Sequence, residues 1–241
     1  IWEYLLDGRQ ARTPRGLRIE PIELLAEKDR AVMLRRNYRE IGKRGIGVGY
    51  PLGVNLAYDA EQLRLAMIWK GKFADPGAAW RGQGSGAVRP LGTDVIRFRR
   101  GPDVDDQESP WVVDEGRPPD HQFTGYQLDD RGRPTFSYRV GDAEVRDGFE
   151  DIHDDQTDQV VLKRTITVTP TQSSLSLLLR LADGKKIVRL DDGAFQIDES
   201  LRVRPSGSSQ ATVRSSGDRQ ELIVPIDLAD GRIQVAALYR W

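Results

Sequence analysis

His121 and His153 are the only imidazoles in the 241 residues, and cysteine is absent. The chain by itself therefore offers no thiolate nucleophile, disulfide, zinc ribbon, iron–sulfur ligation or covalent haem attachment. Two histidines so far apart in sequence cannot build a helical H-E-x-x-H site or a multi-histidine metal centre. His121, after Asp120 and before Phe123, would act alone as a general base or as a single metal ligand; an exposed loop histidine is the plainer account. His153, inside Glu150-Asp151-Ile152-His153-Asp154-Asp155, reads as part of a solvated acidic loop. The acidic groups Asp103, Asp105, Asp106, Glu108 and Asp151, Asp154, Asp155, Asp158 carry the hard oxygens that calcium prefers, but neither has EF-hand spacing, and ordinary charged loops explain both.

Gly42, Gly45, Gly47, Gly49 and Gly53 form the densest glycine cluster, yet no helix start or G-K-[ST] follows, so phosphate cradling is disfavoured and close backbone approach in a crowded sheet is preferred. The aromatic residues Trp69, Trp80, Trp111, Tyr50, Tyr58 and Tyr126 are the remaining resource, since aromatic faces beside polar groups stack on sugar rings as well as filling cores. Trp69 closes an apolar parity and reads as core. Trp80, flanked by Ala79 and Arg81, is harder to bury by pattern. Trp80 and Tyr126, with Arg44, Asp75 and His121 supplying polar contacts, are the candidate ligand-binding residues; Arg64 is a further polar candidate, and surface salt bridges are the duller reading of these charges.

These residues must be positioned by strands. Val54, Leu56 and Tyr58 alternate with polar or small neighbours, and after a turn Leu63, Leu65, Met67 and Trp69 read as one face of a hairpin. Phe73 to Gly92 reads as a long surface loop carrying Trp80, and Gly101 to Pro119 as an acidic stretch crossing the surface. Gly125 to Leu128, the turn at Asp129-Asp130-Arg131-Gly132, and Phe136, Tyr138 and Val140 form a second hairpin. Val160, Leu162, Ile166 and Val168 share a parity with Arg164 and face a core; Leu175, Leu177, Leu179 and Leu181 continue the pattern, and Ile233 to Tyr239 is the final strand. Many short strands with Asp-Gly turns and no alternating helix pattern predict an all-β fold, an antiparallel β-sandwich. The galactose-mutarotase-like supersandwich is one variant of it. Residues 1–6 read as a short helix remnant stopped by Gly8, with a linker to Gly16, so that residues 17–241 form the module, with a weak subdivision near 119.

Thirty-six Lys and Arg against thirty-seven Asp and Glu leave a net charge of −1, so no global field favours nucleic acid or an anionic bilayer. A hydrophobic share of 38% and a charged share of 30%, without an apolar run near the roughly 20 residues a spanning helix needs, indicate no membrane span. Ile1 in place of an initiator Met suggests that the chain begins inside a longer precursor or is a cut product.

Several stretches resemble the C-terminal module of large secreted c-type cytochrome proteins of Planctomycetes and their relatives. They are Gly45-Ile46-Gly47-Val48-Gly49-Tyr50-Pro51, Val54 to Asp59, Leu63 to Asp75, Pro90 to Val95, Phe123 to Asp129, Gly132 to Tyr138 and Leu162 to Thr165. Ile1-Trp2-Glu3-Tyr4-Leu5 looks like the closing helix of the cytochrome c domain that precedes this module. The resemblance implies a periplasmic or extracellular location, haem c in an upstream domain, and a sandwich similar to sugar-binding and carbohydrate-active folds; it implies no reaction. The family's C-x-x-C-H motif and distal Met do not transfer, because cysteine is absent and Met33 and Met67 stand in other contexts, so no cofactor is expected within this chain. The expected role is a noncatalytic binding or docking module that presents loop aromatics to a glycan or to the adjacent cytochrome c domain. The alternatives are a carbohydrate-active enzyme domain coupled to a haem electron acceptor, with loop carboxylates and His121 as acid–base groups, and a purely structural spacer.

Overall fold

A strand that buries one face repeats its apolar residues with period two, as Phe136, Tyr138 and Val140 do here. The computed structural model describes residues 20–80, 86–106, 111, 118–155, 157–171, 176–206, 210–229 and 231–241. The helix remnant and linker expected before Gly16, together with Leu175, lie outside them. The strands are β1 (Val32–Tyr38), β2 (Gly42–Gly49), β3 (Val54–Asp59), β4 (Arg64–Lys70), β5 (Ala74–Asp75), β6 (Arg89–Pro90), β7 (Thr93–Arg97), β8 (Val104–Asp105), β9 (His121–Leu128) and β10 (Pro134–Val140). They continue with β11 (Ala143–Asp154), β12 (Gln159–Pro170), β13 (Ser176–Gly184), β14 (Ile187–Arg189), β15 (Phe195–Ile197), β16 (Leu201–Ser206), β17 (Thr212–Ser216), β18 (Arg219–Asp227) and β19 (Ile233–Arg240). Among the described residues one four-residue helix, α1 (Gly77–Trp80), interrupts them.

The fold is the expected all-β antiparallel sandwich. One layer is an eight-stranded sheet ordered β14-β15-β16-β19-β12-β11-β10-β9. Facing its inner side are a five-stranded sheet, β1-β2-β3-β4-β7, and a four-stranded sheet, β17-β18-β13-β8. A single apolar cluster joins all three, with Ile46, Leu56 and Leu65 from the five-stranded sheet, Phe136, Leu162 and Val235 from the eight-stranded sheet, and Leu179 and Val224 from the four-stranded sheet. Residues on both sides of Pro119 share this core. The β9–β10 connection is the turn read from the sequence: Asp129 Oδ1 accepts the Arg131 and Arg133 amides at 3.0 and 2.8 Å, and Gly132 takes a φ of 71°.

Three local expectations need correction. Leu63, Leu65, Met67 and Trp69 do not share a face: Ala57 pairs with Met67 and Tyr58 with Leu65, so Ala66 is an extra residue, a β-bulge that flips the parity. Leu63 and Leu65 enter the main core, whereas Met67 and Trp69 enter a second apolar cluster on the opposite side of the five-stranded sheet. Phe73 to Gly92 is no structureless loop, because β5, α1 and β6 fold over that opposite side and bury Phe73, Ala74, Ala79 and Val88. The acidic stretch after Gly101 does not begin on the surface, as its described residues show. Asp103 and Asp105 are buried, β8 pairs with β13, and Trp111 is 2% exposed.

The glycine cluster has the steric role preferred from sequence. Gly45, Gly47 and Gly49 alternate along β2 beneath Tyr38 and Phe73; a Cβ on Gly47 would lie 1.8 Å from Tyr38 Oη, and one on Gly49 2.6 Å from the Phe73 ring. Gly47→Val should therefore lose about 1–3 kcal/mol to overpacking in urea denaturation, and an unchanged midpoint would contradict this packing. Burial also raises the pKa of the Tyr38, Tyr50, Tyr58 and Tyr138 phenols, and pushes that of Tyr239 up to about 12. Ionisation is harder folded than unfolded, so this stabilisation is complete below the ordinary tyrosine value of about 10 and declines as pH rises beyond it. The urea midpoint should fall between about pH 9 and 11.5, with tyrosinate absorbance of these rings appearing only as the chain unfolds; a flat midpoint would contradict the burial.

Candidate functional site

The densest assembly of chemically capable side chains lies inside the sandwich. Arg164 on β12 is fully buried and grips Asp147 of β11 with two hydrogen bonds, Nε to Oδ1 at 2.9 Å and Nη2 to Oδ2 at 2.6 Å. Its Nη2 also donates to Asp103 Oδ2 at 2.8 Å. The same Asp103 oxygen accepts the Leu65 amide of β4 at 2.8 Å, while Asp103 Oδ1 lies 3.6 Å from Arg180 of β13. Arg180 donates to Glu221 of β18 at 3.1 Å and to the Gly101 carbonyl at 2.6 Å; Arg214 of β17 meets the other Glu221 oxygen at 2.8 Å. Trp111 lies against both guanidiniums, 5.4 Å from Arg180 Cζ and 4.8 Å from Arg214 Cζ. Burial pushes the Asp147 carboxyl up against the pull of Arg164. Burial pulls Arg164 down, but Asp147 and Asp103 outweigh it and hold the guanidinium charged, well above its usual value. Arg64 belongs to a neighbouring buried pair, with Nη2 3.3 Å from Asp59 Oδ2 and Nη1 donating to the Phe98 and Arg99 carbonyls. All these carboxylates are neutralised and shielded from solvent, so their chemistry is that of a fold, not of a reaction centre.

Asp75 and His121 are likewise engaged by backbone. Asp75 Oδ1 accepts the Ile22 and Gly77 amides at 3.0 and 2.8 Å, and Arg89 Nη2 reaches its other oxygen at 2.9 Å. Burial opposes the charge, yet these donors hold the carboxyl below its ordinary value, and the clamp fixes β5, α1 and β6 over the sheet. His121, expected in an exposed loop, is 6% exposed at the start of β9. Its Nδ1 is 2.5 Å from the Pro119 carbonyl and its Nε2 3.0 Å from the Val104 carbonyl, so neither nitrogen is open to a substrate. Trp80 ends α1 and is 47% exposed.

Arg44 lines a cleft, and Tyr126 is not among its lining residues but lies beside it, against Arg35. The edge strand of the five-stranded sheet, β1, and the edge strand of the eight-stranded sheet, β9, bound a cleft of about 490 Å³ lined by Arg35, Arg36, Lys43, Arg44 and Phe123, with Gly45, Ile46 and Ala60 behind them. That volume is within the roughly 300–1,000 Å³ of small-molecule sites. Arg35 Cζ lies 5.7 Å from the Tyr126 ring centroid. Phe123 and Tyr126 are three positions apart and would face opposite sides of a regular strand. Ser137 pairs with Gly125 and Tyr138 with Phe123, so Thr124 is an extra residue, and this bulge, with Gly125 at a φ of 143°, turns both rings onto Phe136. Their centroids each lie 6.4 Å from that of Phe136, itself stacked on Tyr58 at 4.1 Å. The aromatic wall is thereby anchored in the core. Arg44 pairs with Glu61 at 2.6 Å; Arg35, Arg36 and Lys43 form no ion pair among the described residues. Trp80, Asp75 and His121 do not line this cleft.

Sequence reasoning missed Arg35, Arg36, Lys43 and Phe123. The run of cations from Arg35 to Arg44 and a glycine within a strand were the available signals. A second, shallower groove of about 800 Å³ runs over the solvent face of the eight-stranded sheet. Two of its carboxylates, Asp129 and Glu150, share Arg133 at 2.7 and 3.3 Å. Among the described residues, no group of three or more His, Asp or Glu side chains is placed to hold a metal ion, and no helix is long and apolar enough to cross a membrane.

Residues 56–147 match the family model of a domain of unknown function (DUF6797). The matched span contains Asp103, Phe123, Tyr126 and Asp147 but not the cations of β1 and β2. The chain matches no curated protein and no solved structure.

The ion cluster makes a stability prediction. Arg164→Met keeps the side-chain bulk but leaves Asp103 and Asp147 without their shared cation, so it should lose about 3–5 kcal/mol in urea denaturation. A loss below about 1 kcal/mol would show that water reaches these carboxylates.

Proposed function

We propose that this chain is a noncatalytic binding module that holds a glycan in the cleft between β1 and β9. A single observation carries the reading. The cleft joins an anchored aromatic wall, Phe123, to converging polar side chains, one of which lies against Tyr126, while neither a carboxylate nor an imidazole is among its lining residues. General acid–base catalysis needs a group that takes or gives a proton within reach of the substrate. Phe123 supplies an apolar ring for the C–H surface of a pyranose, Tyr126 holds Arg35 beside it, and the arginines supply donors for the sugar oxygens. The resemblance to the cytochrome-associated module supports an extracytoplasmic setting beside an upstream haem c domain, with the haem domain as neighbour and the glycan as ligand.

The carbohydrate-active enzyme reading has less behind it. A hydrolytic pair requires two carboxylates about 5–10 Å apart flanking a bond, one of them able to give up a proton. In the open groove Asp129 and Glu150 are both held by Arg133, and the hydrogen bonds of Arg133 keep the Asp129 carboxyl low despite the opposing effect of burial.

Binding of the chain to immobilised polysaccharides tests the proposal. Tyr126→Ala, which removes the ring that Arg35 lies against, should weaken retention at least about tenfold. Trp80→Ala, which removes an exposed ring outside the cleft, should leave retention unchanged. Retention that depends on Trp80 and not on Tyr126 would place the ligand elsewhere.

A further inference from the structure

We infer that the ligand of the cleft is anionic, an acidic polysaccharide whose sulfate or carboxylate groups meet Arg35, Arg36, Lys43 and Arg44. The inference rests on the binding-module reading and adds the chemistry of the ligand. Four lining cations less Glu61, the carboxylate paired with Arg44, leave three positive charges among these residues, in a chain whose net charge is −1. The concentration is local and does not reflect a generally basic protein.

Charged side chains on an edge strand commonly serve to block strand addition, and β1 is an edge. That role accounts for cations pointing into water. It does not account for a cavity between two sheet edges with Phe123 as one wall and Arg35 laid against Tyr126. A neutral sugar filling the cleft would take water from these cations and return no counter-charge, an unfavourable exchange. A sulfate or carboxylate reverses the sign, because a guanidinium fork donates two parallel hydrogen bonds to either oxyanion. Stacking on Tyr126 holds the Arg35 fork in place before a ligand arrives and reduces the ordering that binding requires. A nucleic acid is less well matched: it calls for a basic face extended along many phosphates and a strongly basic domain, and the cations here gather at one cleft.

The test measures binding of the full chain to dextran sulfate, alginate, unmodified dextran and single-stranded DNA, each at low and at moderate salt. Dextran sulfate carries sulfate esters and alginate carries uronate carboxylates, so the two distinguish the source of the anion. At least one should bind ten or more times tighter than dextran, and its binding should weaken as salt rises. The double variant Arg36→Glu with Lys43→Glu changes exposed side chains; it should lose at least tenfold in affinity while its circular dichroism spectrum and urea midpoint stay unchanged. Dextran bound as well as both acidic polymers, with no salt dependence and with loss in Tyr126→Ala, would overturn the anionic ligand and leave the binding module standing. No binding of any polysaccharide would overturn both readings. DNA bound as tightly as the acidic polysaccharides would overturn the choice of a sugar chain.

Discussion

One carboxylate, that of Asp103, is shared by three sheets. It accepts an amide from β4, a guanidinium proton from β12 and the charge of Arg180 on β13, and its own backbone carbonyl accepts the Arg180 amide at 2.7 Å. A carboxylate taken from water costs several kcal/mol unless charge and hydrogen bonds replace what water gave. At Asp103 the replacements come from separate sheets, so the charge is satisfied only when all three are assembled. The neighbouring buried carboxylates are satisfied within their own sheets: Glu221 by Arg180 and Arg214, Asp147 by Arg164, and Asp59 by Arg64. Apolar packing between sheets is tolerant of sliding, whereas the contacts of Asp103 fix how the five- and four-stranded sheets sit on the eight-stranded one.

This use of charge decides where function can reside. The buried arginines and carboxylates that would look catalytic in isolation are occupied in holding the layers, as are Asp75 and His121 at the periphery of the core. What is left for a ligand is the open side where β1 and β9 face each other. There the rings of Phe123 and Tyr126 are backed by Phe136 and Tyr58, so a polar, solvent-facing site rests on the rigid interior.

Alternation made most of the fold legible. The parity of Leu162, Ile166 and Val168 located a core face, and Arg164 on that same parity was a sign that the core held a charge. Gly132, Gly193 and Gly231 take the positive φ that their turns require, whereas Asp183-Gly184, another Asp-Gly pair read as a turn, lies inside β13. Two bulges were not legible, since one extra residue at Ala66 or Thr124 is settled by pairing with a partner strand and not by the local pattern. The acidic segment after Gly101 was misread because carboxylates ordinarily seek water, and the arginines that draw Asp103 inward lie 61 and more positions away. Of the site, Arg44 and Tyr126 were visible as residue types. Their meeting with Arg35 and Phe123 depends on two sheet edges that the sequence does not mark as neighbours.

The central claim is that Asp103 makes the three sheets one cooperative unit. Native-state hydrogen exchange compared between the chain and its Asp103→Ala variant tests this most directly. If the claim holds, the slowest amides of β4, β12 and β13 lose protection together, by roughly a hundredfold or more, as expected for about 3 kcal/mol or more lost from a buried ion cluster. Loss confined to β8 and its immediate partner, with β4 and β12 exchanging at their original rates, would contradict it.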